Sequence, residues 1–397
     1  MLRTTIPFQA TELTDWINQL HKELQNQTDL LVFKDQIEGI EIDLTTEPAS
    51  FGIPPKKNID WKNCFALEIL EESAANQLLL SALMQGASCL LLSSNKDNCN
   101  WDKVLEHIEV EYIDCFICLT DISELKQFEY KSLASKRSAI EFLFKKGEQI
   151  NYFSVFDLQQ IGAKISTQLS TLLLDIHREL EVGKIKSKYF FELGVGSNYF
   201  LELSKIRALR HLISRLEAIH KIQINYELIT KTGFSNKSLK DPYTNLLRQA
   251  TEALCAIIGG SDVLCLQAYD SLSQEGPDDF SRRMALNIGN LIQEEVQLKS
   301  SNDPLKNSRV VEAITSEIVE HAWTTLLQMD EMNEIDNITF IKSQIEETRL
   351  QRIGQLKLGA HLMIGINQFE NSFETKVKSW ANSPIVYGFP YLIYELV

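Results

Sequence analysis

The chain has 397 residues, 44% hydrophobic and 23% charged, a globular balance that excludes a disordered polymer. Its net charge of −15, from 39 basic and 54 acidic residues with no basic stripe, excludes an electrostatic nucleic-acid binder. No apolar run approaches the roughly 20 residues needed to cross a bilayer.

The opening MLRTTIPFQATEL lacks the apolar core and cleavage site of a secretory signal, so none is expected. In ATELTDWINQLHKEL, Thr11 is the expected N-cap, and Trp16, Ile17, Leu20 and Leu24 follow at helical spacing. TTEPASFGIPPKK comes next and cannot be a continuous helix. Residues 1–60 therefore read as an arm carrying one amphipathic helix.

From about residue 65 short apolar runs alternate with helical patterns. The runs are FALEIL (65–70), SCLLLS (88–93), EYIDCFICL (111–119), SAIEFLF (138–144), YFSVFD (152–157), KYFFEL (188–193), IQINYELIT (222–230) and DVLCL (262–266). Helices are expected over 72–86, 157–180 and 198–220, while the fourth and fifth runs are joined only by KKGEQIN. Eight strands with helices between them predict an α/β fold, a (β/α)8 TIM-type barrel over 61–300, irregular at that short link. A helical extension and tail take up 301–397. Asp241 and Pro242 are expected as N-cap and first-turn proline of the helix after the seventh strand.

The seven cysteines are an odd number in a long chain, and several sit in apolar runs, which fits a reducing cytoplasm. Cys115 and Cys118 form one CxxC, but structural zinc wants four ligands, and the pair lies within an apolar run rather than at a helix start. Packed strand residues are the plainer reading. DIHREL (175–180) has the Asp175 and His177 of a cobalt-facing DxHxxG loop, but Leu180 replaces the glycine and the segment reads as a helix end. Six of the seven His fall in helical patterns, and His361 near the start of HLMIGINQF. GVGSNYF (194–200) places two glycines before a helix, as a turn or as a phosphate-holding helix start would.

At ELGVGSNYFLELSKIRALRHL the chain resembles the methylmalonyl-CoA mutases, through Gly194, Gly196, Tyr199, Phe200, Glu202, Lys205, Arg207, Ala208 and Arg210. DPYTNLLRQATEALCAIIGGSDVLCLQAYD (241–270) is similar to the family's next block. IGNLIQEE (288–295), IGINQF (364–369) and the small-subunit-like opening FQATELTDWINQLHKEL are weaker but collinear.

The departures carry the functional expectation. The resemblance implies an Arg, a His and a Gln before Asp-Pro-Tyr, and these fall on Glu227, Ile229 and Lys231. Isoleucine cannot hydrogen-bond a thioester carbonyl as that His does. A second family His falls on Cys265, and a substrate-binding Arg on Lys188, which keeps charge without the bidentate fork. The cobalamin domain that follows the barrel in the family is not found before Val397. The bulky Phe142, Phe144, Tyr152, Phe153, Tyr189, Phe190, Phe191 and Tyr226 would fill a lumen that otherwise threads a CoA chain, although the face each takes depends on register.

The resemblance thus implies a non-catalytic small (beta) subunit of a heterodimeric mutase that interconverts methylmalonyl-CoA and succinyl-CoA. Its partner would be the large (alpha) subunit, which holds the adenosylcobalamin. No cofactor or metal is expected on this chain, nor any nucleic-acid or membrane partner. A second reading is a standalone barrel binding an acyl-CoA, with Lys188, Lys231, Gln267 and the Gly194–Gly196 turn as anchors.

Overall fold

The computed structural model describes residues 12–25, 31–43, 45, 60–94, 99–110, 112–119, 140–141, 150–183, 185–238, 241–273, 275–298 and 303–369. The arm begins with α1 (Leu13–Glu23), preceded by Glu12, which makes no side-chain cap; Thr11 lies outside the described residues. An antiparallel hairpin follows, β1 (Val32–Asp35) and β2 (Ile40–Asp43), which the sequence reading missed. Its signal was present. Ile40 and Ile42 are buried while Glu41 and Asp43 are exposed, the period of a half-buried strand. The turn closes at Gly39, whose φ of 70° suits glycine, and Asp35 accepts from the N–H groups of Ile37 and Glu38 at 3.0 and 2.8 Å.

The main sheet contains β3 (Lys62–Ile69), β4 (Cys89–Ser94), β5 (Asp114–Leu119), β6 (Ile140–Glu141), β7 (Ile150–Ser154), β8 (Lys188–Val195), β9 (Tyr226–Thr232) and β10 (Val263–Cys265). Their hydrogen-bonded order is β6–β5–β4–β3–β10–β9–β8–β7. The last strand in sequence, β10, lies between β3 and β9, so the sheet wraps back on its beginning. Among the described residues seven strands run parallel, and β6 pairs antiparallel with β5. Of the expected eighth parallel strand at 138–144 only the two-residue piece β6 is described, and it runs antiparallel; Phe142 and Phe144 lie outside the described residues.

The sheet curls into a half-barrel. Phe116 of β5 and Phe190 of β8 have ring centroids 4.8 Å apart, although five strand steps separate them in the sheet. In a flat sheet that span would be about 24 Å. Cys64, Cys89, Leu91, Phe116, Tyr152, Phe190, Ile229, Val263 and Cys265, from all seven parallel strands, form one buried cluster on the concave side.

Helices cover the convex side: α2 (Glu72–Met84), α3 (Trp101–Val104), α5 (Ile165–Glu181), α6 (Tyr199–His220), α7 (Thr244–Gly259) and α8 (Asp279–Glu294), while the short α4 (Phe156–Gln160) lies at the C-terminal ends of the strands. The extension adds α9 (Arg309–Asp330) and α10 (Glu334–Lys357). Phe153, Tyr189 and Phe191 point outward, into the large core shared with α5, α6 and α9, and Tyr226 packs at its edge. The expectation that these four rings fill the lumen is therefore corrected: of the expected set Tyr152 and Phe190 face inward, and a strand's period of two turns their neighbours outward.

Four expectations are corrected. The single helix over 157–180 is two, α4 and α5, because the chain turns at Gly162, whose φ of 96° suits glycine. Phe156 and Asp157, read as strand, open α4. Asp241 is not an N-cap: α7 starts at Thr244, and Asp241 accepts from the Thr244 hydroxyl at 2.5 Å. His107 likewise sits in a turn after α3, with φ of 62°, and not in a helix.

Candidate functional site at the half-barrel mouth

In an α/β barrel the chemistry sits beyond the C-terminal ends of the strands. Here Gly194 and Gly196 of the β8 end, Thr232 and Gly233 of the β9 end and α4 frame that face. The structure does not gather the sequence candidates there. Lys188 opens β8 and Lys231 is level with Gly194 near its end, so the two lysines are about 20 Å apart along the strands.

Lys188 belongs to the opposite end. Its ammonium meets Glu227 at 2.6 Å and lies 4.9 Å above the Phe190 ring. The other Glu227 oxygen accepts from Lys62 at 2.9 Å, and Lys62 also pairs with Asp114. Two cations and two carboxylates from four strand starts thus close the N-terminal end of the lumen. Burial opposes the Lys62 charge, but Asp114 and Glu227 outweigh it and hold its pKa above the usual range.

The middle of the lumen is apolar. Ile229 is 1% exposed and Cys265 fully buried. Cys265, Cys64 and Cys89 are lateral neighbours in register on β10, β3 and β4. The Cys64 hydrogen bond first, and burial second, hold the Cys265 thiol well above its ordinary range, so it stays an unreactive thiol. Cys115 points outward into the core under α2, where burial pushes its thiol up to about 12. Cys118 follows on the same strand.

At the mouth, Lys231 stacks 4.6 Å from the Phe156 ring of α4. The Gln267 N–H donates to Thr232 at 2.9 Å, and its carbonyl accepts from Gln249. Glu192 accepts from Ser154 at 2.5 Å. The decisive residues were missed by sequence reasoning: Gln159 and Gln160 of α4, which project over the mouth. A Cβ on Gly194 would fall inside the Gln159 amide, and one on Gly233 inside the Gln160 amide. The Gln160 carbonyl oxygen accepts from the N–H groups of Phe234 and Ser235 at 2.6 and 3.2 Å. Its amide donates to Gln159 at 3.2 Å, and Gln159 donates to Glu202 at 3.3 Å.

The α6 motif residues are structural pins around this mouth. Asn198 caps the helix through the Leu201 N–H. Lys205, fully buried, donates to the Gly194 carbonyl at 2.7 Å and pairs with Glu202. Arg207 donates from Nη1 to both Asp303 oxygens at 3.0 and 2.9 Å and from Nη2 to Glu312 at 2.8 Å, tying α6 to the extension. Arg210 holds Asp262 at 2.8 Å. In the second block, Asn245 binds the backbone of Ser238 and Tyr269, and Arg248 donates to the Ile364 carbonyl at 2.6 Å.

His177 lies within α5, with its Nδ1 2.9 Å from His220 Nε2, and not in a loop. Among the described residues no group of three His, Cys, Asp or Glu side chains is placed to hold a metal ion.

Beside the mouth lies a cavity of about 170 Å³, lined by Glu38, Gln159, Asn198, Glu202, Arg352 and His361 among others. That is below the roughly 300–1,000 Å³ of clefts that hold drug-sized ligands. Glu38 accepts from the Ile165 N–H at 2.8 Å and from Arg352 at 3.3 Å, which joins the hairpin to α5 and α10. Burial pushes its carboxyl from 4.5 up to about 7, against the pull of Arg352. The folded chain therefore holds this proton more tightly than the unfolded one. The stability it contributes is complete below about pH 4.5 and is lost as pH rises through about 7. The loss is about 3 kcal/mol. Glu38→Gln is expected to flatten stability between about pH 5 and pH 7.5, read from urea midpoints at the two values. An unchanged slope would show that Glu38 does not carry it.

The amino-acid pattern has counterparts among known proteins. A family model described as methylmalonyl-CoA mutase matches residues 157–384. The methylmalonyl-CoA mutase small subunit of Porphyromonas gingivalis is 31% identical over 199 residues, covering 48% of this chain and 32% of that protein. The methylmalonyl-CoA mutase of Rhizobium meliloti is 28% identical over 247 residues, 58% of this chain and 35% of that protein. The human mitochondrial methylmalonyl-CoA mutase is 25% identical over 256 residues, 60% of this chain and 34% of that protein. The matched part of the chain thus spans about a third of each relative's length.

Proposed function

The chain belongs to the methylmalonyl-CoA mutase family, and from that premise we propose that it is the non-catalytic small subunit of a heterodimeric mutase. The family depends on adenosylcobalamin, and the proposal assigns the cofactor, the substrate and the rearrangement of methylmalonyl-CoA and succinyl-CoA to a large-subunit partner. This chain then serves as scaffold and interface, with the arm as a wrapping element.

One observation carries the reading. The lumen is packed with Phe116, Tyr152, Phe190, Ile229 and Cys265. It is closed below by the Lys62–Glu227–Lys188 cluster and above by Gln159 and Gln160. Among the described residues a CoA chain has no path through such a core, and the residues at the family's polarising positions, Ile229 and Cys265, offer no strong donor to a thioester carbonyl. His177 is engaged with His220, which supports placing the cobalamin on the partner. The P. gingivalis relative named as a small subunit supports the heteromeric assignment.

The test is direct. The tagged chain, co-expressed with a full-length large subunit, is expected to co-purify with it at a fixed ratio. Titration of the purified chain alone with methylmalonyl-CoA or with adenosylcobalamin is expected to give no saturable heat. Saturable CoA-ester binding by the chain alone would overturn the reading in favour of a standalone acyl-CoA barrel.

A further inference from the structure

We propose that the half-barrel mouth contains an acyl-oxygen site whose occupant is the chain's own Gln160 carboxamide, which blocks in cis the binding of a small primary amide. Two consecutive backbone N–H groups, Phe234 and Ser235, converge on one oxygen at 2.6 and 3.2 Å. Such paired N–H groups after a sharp turn form an oxygen-binding concavity. The donors and the acceptor are 74 and 75 residues apart, so this is a tertiary contact and not a local turn. The other end of the carboxamide is recognised as well, because its NH2 donates to Gln159 Oε1 at 3.2 Å. Oxygen and nitrogen are both read, and that pattern selects an amide over a carboxylate.

The surroundings are shaped for this occupant. Gly233 leaves the space that the Gln160 amide fills, and Gly194 leaves that of Gln159. Gln160 is 3% exposed, so water does not compete for the two N–H groups. Emptying the site would leave both without partners. The loop bearing the N–H groups is itself fixed, since Asn236 and Lys237 hold Glu252 of α7. The site is therefore rigid whether or not Gln160 occupies it.

The experiment uses the full chain and acetamide as the probe. Gln160→Ala is expected to lower the melting temperature by about 3–8 °C. Acetamide at about 100 mM should restore part of that loss while leaving the wild type unmoved, and acetate should restore less. Equal acetamide shifts in both proteins, or none in either, would overturn the proposal. A second measurement reads the shared space, with Gln160→Ser in place of Gln160→Ala where the alanine variant folds poorly. Gly233→Ala must displace the carboxamide, so it should destabilise the wild type yet cost little further when added to Gln160→Ala or Gln160→Ser, whose site is vacated. Strict additivity of Gly233→Ala with Gln160→Ala would show that the two residues do not share the space.

Discussion

Lys237→Met is expected to destabilise the chain by about 3–5 kcal/mol, read as a fall in the urea midpoint at unchanged slope. The Lys237 and Glu252 side chains are 3% and 1% exposed. The ammonium reaches the two Glu252 oxygens at 2.5 and 2.7 Å, and Asn236 donates to one of them at 2.6 Å. Burial pushes the Lys237 ammonium down and the Glu252 carboxyl up, and each opposes the shift of the other. Removing the lysine leaves a carboxylate with only Asn236 in a site closed to water. The double variant Lys237→Met, Glu252→Leu is expected to recover most of the loss, because the cost lies in the stranded charge and not in the missing pair. A single-variant loss below about 1 kcal/mol would show that water reaches the site.

Phe190→Ala is expected to cost a similar 3–5 kcal/mol, by a different cause. Phe190 is fully buried, edge-on to Phe116 at 4.8 Å and beneath the Lys188 ammonium. Its loss opens a void in the centre of the lumen, where rigid strands on every side limit collapse. Phe190→Leu should recover more than half of the loss, since leucine refills most of the volume. Neither variant is expected to bind an acyl-CoA, because both ends of the lumen remain closed. Calorimetric titration of Phe190→Ala with acetyl-CoA checks this, and saturable heat would mean that Phe190 alone excludes the ligand.

The architecture was legible where the chain repeats itself. Apolar runs near 65, 90, 115, 190, 226 and 263 became parallel strands because β-branched, aromatic and apolar residues clustered between helical patterns. The hairpin of the arm was passed over because its strands are only four residues long. The break after α4 was hidden because DLQQIGAKIS keeps a helical spacing of apolar residues across Gly162. Inward and outward rings could not be separated until one register was known, since a one-residue shift exchanges the faces.

The lumen and its mouth were legible only by what they lack. Ile229 and Cys265 were noticed as departures, whereas Gln159 and Gln160 carry no charge, no nucleophile and no motif. Their role comes from reaching Phe234, Ser235 and Glu202, and no spacing rule encodes contacts over such separations. Lys188 shows the converse. It was noticed for its charge, yet the fold spends that charge on Glu227 at the far end of the lumen.

The pairing of β10 with β3 also bears on how the chain is made. Val263 is matched with Lys62, so one side of β3 has no strand partner until synthesis has passed β10, some 200 residues later. At about 5–20 residues per second the ribosome needs roughly 10–40 s for that length. During that interval the nascent chain presents an open strand edge, the kind of template on which other chains assemble. Late closure makes this edge the point at which a folding chaperone, or slowed translation, would most change the yield of native protein.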